Sequence, residues 1–280
     1  MAKETAKKAK VLYEKRGRTA IITINRPEAM NAYDTETGQL IEKYESAAMA
    51  DPEVWTVILT GAGDKAFCAG LDLKMVDRRI GEGGPAVSKG AVLDGGAIQS
   101  PYFYAIRGAY SYPHPTNKPM IAAINGYCVG GGLEQAMTCD IRIAADHARF
   151  QCAESKRGMI AGITPAKLPR LIPFNLALEL LLTCEMIDAK EAYRIGLVNK
   201  VVPLKDLMPT ALAMCDKINE NAPLGIRSAK IIAWNGMDMS LRDTLQHNHQ
   251  VLHEVLYQTE DYKEGVRAFV EKRKPVWKAR

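Results

Sequence analysis

Apolar and polar positions along this chain follow two periods in turn. Thr19 to Asn25 (TAIITIN) is almost wholly apolar or β-branched and runs into Arg26-Pro27, which predicts a buried strand closed by a turn. Asp34 or Thr35 is placed to cap a helix whose apolar positions Leu40, Ile41, Tyr44, Ala47 and Ala48 recur at helical spacing, and Asp51-Pro52 stops it. Val54 to Thr60 (VWTVILT) predicts the next strand, followed by a glycine-bearing segment, Gly61 to Gly70. The arrangement returns at Met120 to Asn125, which leads into Gly126 and Gly130-Gly131-Gly132. Ile141 to Ala145 and Leu197 to Val202 predict further strands. Alternating strands and helices point to an α/β domain over residues 1–205, with helices packed on short sheets. Past Pro203 the strand signal stops. Three helices, about Lys205 to Glu220, Gly225 to Ile232 and a long stretch from Ser240 onward, predict a helical C-terminal module over residues 206–280.

Met75 to Asn117 has few periodic apolar positions. It carries several glycines and then an aromatic cluster of Tyr102, Phe103, Tyr104, Tyr110 and Tyr112. A loop of this length inside a compact domain is usually functional, so it is expected to form a lid or pocket wall that admits a particular acyl group.

Composition narrows the class. With 47% hydrophobic and 25% charged residues the chain reads as an ordinary globular protein, not a disordered or fibrous one. Its longest apolar runs, Pro119 to Ile124 and Leu176 to Leu182, fall far short of the roughly 20 residues that span a bilayer, so no membrane association is expected. The net charge of +5 is thinly spread except at the ends. Met1 to Lys10 has four lysines and no apolar segment, so a solvated extension is expected, not a secretory signal. The basic helix end from Lys263 to Arg280 suits an anionic small molecule or a partner subunit better than nucleic acid, for which no motif is present.

The six cysteines form no C-x-x-C pair, which argues for buried thiols in a reducing, cytoplasmic compartment. His249 and His253 have the i, i+4 spacing of two metal ligands, but without a converging third ligand no metal is expected. Gly61-Ala62-Gly63-Asp64-Lys65-Ala66 fits a loose dinucleotide pattern, yet the chain continues into a second tight turn where a helix is required.

The recurring feature carries more. Two apolar strands each run into a small-residue turn, Ala69-Gly70-Leu71-Asp72 and Gly130-Gly131-Gly132. Small residues let main chain approach a ligand and free N–H groups at the start of the next helix. Two such turns face to face would aim two donors at one oxygen, an oxyanion hole. Glu134 follows in the first turn of the second helix, and Glu154 lies twenty residues on. Two carboxylates beside such a hole can hold a water and exchange protons with a carbon α to a carbonyl.

Five blocks in order resemble the crotonase superfamily, in its enoyl-CoA hydratase branch. They are Asn25 to Ala32 (NRPEAMNA), Ala66 to Lys74 (AFCAGLDLK), Ala122 through Glu134 to Asp140, Phe150 to Glu154, and Glu264 to Lys274. The resemblance implies an α/β spiral of ββα units followed by a C-terminal helical trimerisation module, in a homotrimer or a homohexamer made as a dimer of trimers. It assigns the hole to the N–H groups of Leu71 and Gly131, and the two hydratase glutamates to Glu134 and Glu154. The coenzyme A moiety is expected along Ala29, Ala69, Leu71, Asp72, Leu73, Lys74 and Gly131, with Phe269 and Lys272 reaching the CoA of a neighbouring subunit. No separate cofactor is implied, because coenzyme A enters as part of the acyl-CoA substrate.

Such a site would add water reversibly, in the syn sense, to a 2-enoyl-CoA and give a 3-hydroxyacyl-CoA. The same hole also serves double-bond isomerisation, dehydration, thioester hydrolysis and ring opening, and a non-catalytic CoA-binding subunit is the remaining alternative. Two departures bear on the acyl group. The run after Glu154 lacks the Gly-Gly-x-x-x-Leu of short-chain hydratases and carries Ala161 where proline is common, and the tyrosine-rich loop is long. Both favour a bulky, cyclic, branched or aromatic acyl group.

Overall fold

The computed structural model describes residues 9–82 and 118–280. The tyrosine cluster and most of the expected Met75 to Asn117 loop lie outside these residues, as does the N-terminal extension up to residue 8. Lys10 is not a solvated lysine: its ammonium pairs with Asp34 at 2.5 Å and with Glu36 at 2.7 Å.

β1 (Val11–Arg16) and β2 (Thr19–Ile24) form an antiparallel hairpin. α1 (Thr35–Ala50) follows, capped by Asp34, whose carboxylate accepts from Thr37 N. Three strand pairs come next: β3 (Thr56–Gly61) with β4 (Ala66–Cys68), β5 (Met120–Ile124) with β6 (Tyr127–Val129), and β7 (Ile141–Ala145) with β8 (Arg149–Gln151). In each pair the first strand joins one sheet and the second joins another. The larger sheet has the order β1-β2-β3-β5-β7-β10, where β10 is Lys200–Val202, and is parallel from β2 onward. The smaller has the order β4-β6-β8-β9, where β9 is Ile187–Asp188. Helices α2 (Leu73–Gly81) and α3 (Gly131–Thr138) close the first two pairs. That is the expected spiral of ββα units.

Period-2 geometry explains why the inner strands β2, β3, β5 and β7 read as nearly unbroken apolar runs: both of their faces are buried. Ile22, Ile24, Leu59, Ala122, Ile124 and Ala144 face a core that also holds Phe67, Cys128, Leu133 and Phe150. Their neighbours Ile21, Ile58, Ile121, Ala123, Ile143 and Ala145 face the opposite way, onto Leu207, Ala211 and Cys215 of α7 (Leu204–Asn219). Between β8 and α7 lie α4 (Thr164–Leu171), α5 (Phe174–Thr183) and α6 (Ala189–Arg194). All six cysteines are free and buried.

Four expectations need correction. Met75 to Gly81 is helical, because Asp72 caps α2 by accepting from Lys74 N. Phe67 and Cys68, expected to open the second tight turn Phe67 to Gly70, belong instead to strand β4 (Ala66–Cys68). Leu197 and Val198 are buried, but Leu197 to Asn199 is not strand: its main chain bonds to Ala192 and to Arg142 before the ladder resumes at Lys200. Last, no single long helix runs from Ser240. After α8 (Pro223–Gly236), α9 (Leu241–Gln250) widens into a π turn and a 3₁₀ turn. The extended Thr259 then caps a separate α10 (Glu260–Val270) by accepting from Tyr262 N. The basic segment beyond Val270 is not helix. It turns back along α10, with Lys278 N and Ala279 N donating to the buried Asp261 carboxylate. No helix among the described residues is long and apolar enough to cross a membrane.

Candidate active site

The parallel pairing of β4 with β6, and of β6 with β8, sets three strand ends side by side: Cys68 opposite Cys128, and Val129 opposite Gln151. The two glycine turns leave from the first two ends, and the segment bearing Glu154 leaves from the third. Their spacing is tight. A Cβ on Gly70, which has φ +89°, would stand 3.0 Å from Gly131 N, so only glycine allows the two turns to meet here.

The direction of each donor follows from peptide geometry, since C=O and N–H of one trans peptide point opposite ways. Gly70 C=O accepts from Tyr33 N at 2.7 Å, which turns Leu71 N–H away from Tyr33. Asp72 N returns to Tyr33 C=O at 2.8 Å, so the turn is held on both sides of Leu71. Gly130 C=O accepts from Leu133 N and Glu134 N inside the first turn of α3, which sends Gly131 N–H out of the helix start. Among the described residues neither Leu71 N–H nor Gly131 N–H has an acceptor. The partial positive charge of the α3 terminus adds to the second donor.

Glu134 is 1% exposed. Its Oε1 accepts from Ile163 N at 2.5 Å and Thr164 N at 3.1 Å, at the start of α4. Burial pushes its carboxyl above the usual carboxylate range, while these N–H groups pull the other way. Glu154 stands across the Gly130 turn: a Cβ on Gly130, where φ is +55°, would lie 3.2 Å from Glu154 Oε1. Its carboxyl is raised as well, first by burial, then with the charge of Glu134 adding to it. The protein thus brings together Leu71, Gly131, Glu134 and Glu154.

The residues expected along coenzyme A divide into two groups. Ala29 ends a 3₁₀ turn next to Met30, whose carbonyl accepts from Ala69 N at 3.1 Å. Leu73 and Lys74 open α2 on the exposed side of the same turn. Phe269, 86% exposed on α10, and Lys272 belong to a different surface, and no hydrogen bond among the described residues joins them to the site.

Sequence reasoning missed the supports. Arg26 donates to Asp72 at 2.9 Å and to Ala32 C=O, and so braces the turn that carries Leu71. Asn31 ties Ala62 C=O and Ala66 C=O to Arg26 N. Both residues stood inside the NRPEAMNA block, but no spacing rule reveals a bond to a turn about 40 residues away. Tyr33, Ile163 and Thr164 act through main chain and leave no side-chain signal. Among the described residues no group of three His, Cys, Asp or Glu side chains is placed to hold a metal.

The whole chain, with these two main-chain donors and two carboxylates, has relatives among known proteins. The sequence profile described as enoyl-CoA hydratase/isomerase matches residues 14–280. The chain belongs to the enoyl-CoA hydratase/isomerase family. It is 40% identical over 270 residues to (E)-benzylidenesuccinyl-CoA hydratase of Thauera aromatica, covering 96% of this chain and 98% of that protein. It is 38% identical over 266 residues to short-chain-enoyl-CoA hydratase of Clostridium acetobutylicum, covering 94% and 95%. The crystal structure of enoyl-CoA hydratase from Mycobacterium tuberculosis H37Rv superposes with a TM-score of 0.83 at 33% identity, over 97% of this chain and 99% of the other. That of the Bacillus anthracis enzyme gives 0.84 at 32% identity, over 97% and 100%. The two crystal structures share the fold over nearly the whole chain.

Proposed function

We propose that this protein is an enoyl-CoA hydratase, adding water reversibly to a 2-enoyl-CoA thioester to give a 3-hydroxyacyl-CoA. One observation carries the reading: a buried carboxylate, Glu134, and a half-buried one, Glu154, flank the pair of glycine turns whose Leu71 and Gly131 N–H groups have no acceptor among the described residues. Related isomerases commonly keep a single acid, so two favour hydration.

The steps follow from charge. The thioester oxygen accepts from Leu71 N–H and Gly131 N–H, which stabilise the enolate that forms when oxygen adds at Cβ. Glu134 works as the base: burial raises its carboxyl, and the Ile163 and Thr164 N–H groups offset part of that rise by favouring the carboxylate. It takes a proton from the water as the O–Cβ bond forms. Glu154 works as the acid. Burial and the neighbouring negative charge favour its protonated form, and it delivers the proton to Cα as the enolate collapses. Water is consumed and the double bond is lost; the proton left on Glu134 then returns to Glu154 by exchange through solvent, which restores both carboxyls for the next turnover. Syn addition results when both acids serve the same face of the enoyl group.

Coenzyme A enters as part of the substrate, along Ala29, Ala69, Asp72, Leu73 and Lys74. In this reading the enzyme works in the cytoplasm as a homotrimer or a dimer of trimers, and Phe269 and Lys272 approach the CoA of an adjacent subunit. The acyl group is bulky, branched or aromatic. The name of the Thauera relative, a hydratase of an aryl-bearing CoA ester, supports this, as do Ala161 and the missing Gly-Gly after Glu154.

A panel of crotonyl-CoA, a branched enoyl-CoA and cinnamoyl-CoA tests both statements. Conversion to 3-hydroxyacyl-CoA, with a higher kcat/KM for cinnamoyl-CoA than for crotonyl-CoA, is expected. No hydration of any member would reject the reading, and a preference for crotonyl-CoA would reject the bulky acyl group alone.

A further inference from the structure

Glu134 depends on α4, and α4 has no side-chain cap of its own. The residue before it, Ile163, provides no capping oxygen, so the first N–H groups of the helix are available to the Glu134 carboxylate. Something must then fix where α4 starts. Its inner face is anchored by Leu168 in the main core. Its other contact is unusual. Lys167, one turn beyond Thr164, is 3% exposed, and its ammonium lies 4.5 Å from the ring centroid of Trp234 on α8.

Trp234 is itself held. Its Nε1–H donates to Asp140 Oδ1 at 3.2 Å. Asp140 Oδ2 accepts from Met120 N at 2.7 Å and pairs with Lys230, also on α8, at 2.8 Å. Asp140 thus ties the indole to the start of β5 in the large sheet. Arg170 reaches Asp238 just past α8 at 3.3 Å, on the surface where such a pair adds little.

No carboxylate among the described residues pairs with Lys167. Arg142, Lys230, Asp140 and Cys139 are the charged and titratable groups around it. Burial, with Arg142 adding to it, pushes its ammonium down to about 8, so the cation is present at neutral pH. A desolvated cation over an indole face is held more strongly than an exposed one, and the face fixes its direction.

We propose that Trp234 and Lys167 are positioning residues for Glu134, joining the C-terminal helices to the catalytic base through α4. The assignment rests on Glu134 acting as the base. Removing the indole lets α4 withdraw from the Glu134 carboxylate and leaves Leu71 and Gly131 untouched. The base then loses N–H groups that favour its ionised form, so its titration moves upward. Glu154 and Cys152, the other titratable groups on that side of the pocket, keep their places. The effect should fall on kcat and on the acid limb of activity, not on thioester binding.

The test uses the full-length protein with crotonyl-CoA and cinnamoyl-CoA as substrates, and compares Trp234→Leu, Trp234→Phe, Lys167→Met, Lys167→Arg and Glu134→Gln. A displacement of about 1 Å at a catalytic group costs on the order of 100-fold, so Trp234→Leu and Lys167→Met should lower kcat by about 10- to 100-fold. KM should stay nearly constant and the acid limb should move to higher pH. Trp234→Phe and Lys167→Arg, which keep a ring face and a cation, should retain most activity and the original limb. A folded Trp234→Leu with wild-type kcat and acid limb overturns the proposal while Glu134→Gln is inactive, and so does an equal loss in all four variants. If Trp234→Leu fails to fold, Lys167→Met decides. Failure of both to fold overturns positioning in favour of a purely structural contact. Full activity in Glu134→Gln overturns the base assignment itself, and the positioning role with it.

Discussion

The two sheets of this molecule are built to different ends. The large sheet has strands of five or six residues from β1 to β7, and from β2 to β7 its side chains are buried on both faces, with a core on each side. Its strength lies in side chains. The small sheet has strands of two or three residues, a register shift between Ala66 and Cys68, and turns through positive φ at Gly70 and Gly130. Its Phe67, Cys128 and Phe150 side chains join the main core, while its distinct product is the placement of main-chain groups. Stability and chemistry are therefore separable here, and substitutions in one sheet should leave the other's task largely intact.

The largest break in that comparison comes at the acids. Glu134→Gln and Glu154→Gln keep shape and lose proton transfer, so each should lower kcat by about 100- to 10,000-fold. Binding of a CoA ester, followed by calorimetry, should barely change. Wild-type turnover in either variant would remove that residue from the mechanism. Gly70→Ala comes next. A methyl 3.0 Å from Gly131 N, on a residue at φ +89°, pushes the two donors apart. Loss of one such donor costs about 100- to 1,000-fold in kcat. Steady-state kinetics on a variant whose Tm is near that of the parent checks this.

Ile58→Ala sharpens the contrast from the other side. Ile58 is fully buried between the large sheet and α7. Its truncation should cost about 2–5 kcal/mol by urea unfolding, with kcat per folded molecule unchanged. A fall in kcat at equal folded fraction would mean that the sheets are coupled. Asp34→Ala is the mildest. Burial alone would raise the Asp34 carboxyl, but the Lys10 ammonium and the Thr37 N–H and hydroxyl overcome it and hold it at about 2. Its stabilisation is therefore present above about pH 4 and fades as pH falls toward 2. Losing the cap should cost about 1 kcal/mol at neutral pH, and the difference from wild type should shrink in acid.

Legibility in the sequence followed the same division. The strands Thr19–Ile24, Met120–Ile124 and Ile141–Ala145 were visible because a strand buried on both faces must be apolar throughout. Strands β4, β6 and β8 are too short to show a period, so Phe67 and Cys68 read as turn. α2 was hidden behind a glycine-rich stretch, although Asp72 and Lys74 held its cap. In the site, Glu134 and Glu154 could be seen because they are side chains in a recognisable order. Their supports were not, because Tyr33, Ile163 and Thr164 act through main chain, and Arg26–Asp72 and Lys167–Trp234 are tertiary contacts.

The most direct test of the whole account is the fate of solvent oxygen. The protein is incubated with a 2-enoyl-CoA that it consumes, in water enriched in oxygen-18, and the product is examined by mass spectrometry. The account predicts a 3-hydroxyacyl-CoA with one labelled oxygen at Cβ and none in the thioester carbonyl. A product with a moved double bond and no label, or a free acid labelled at its carboxyl, would contradict it.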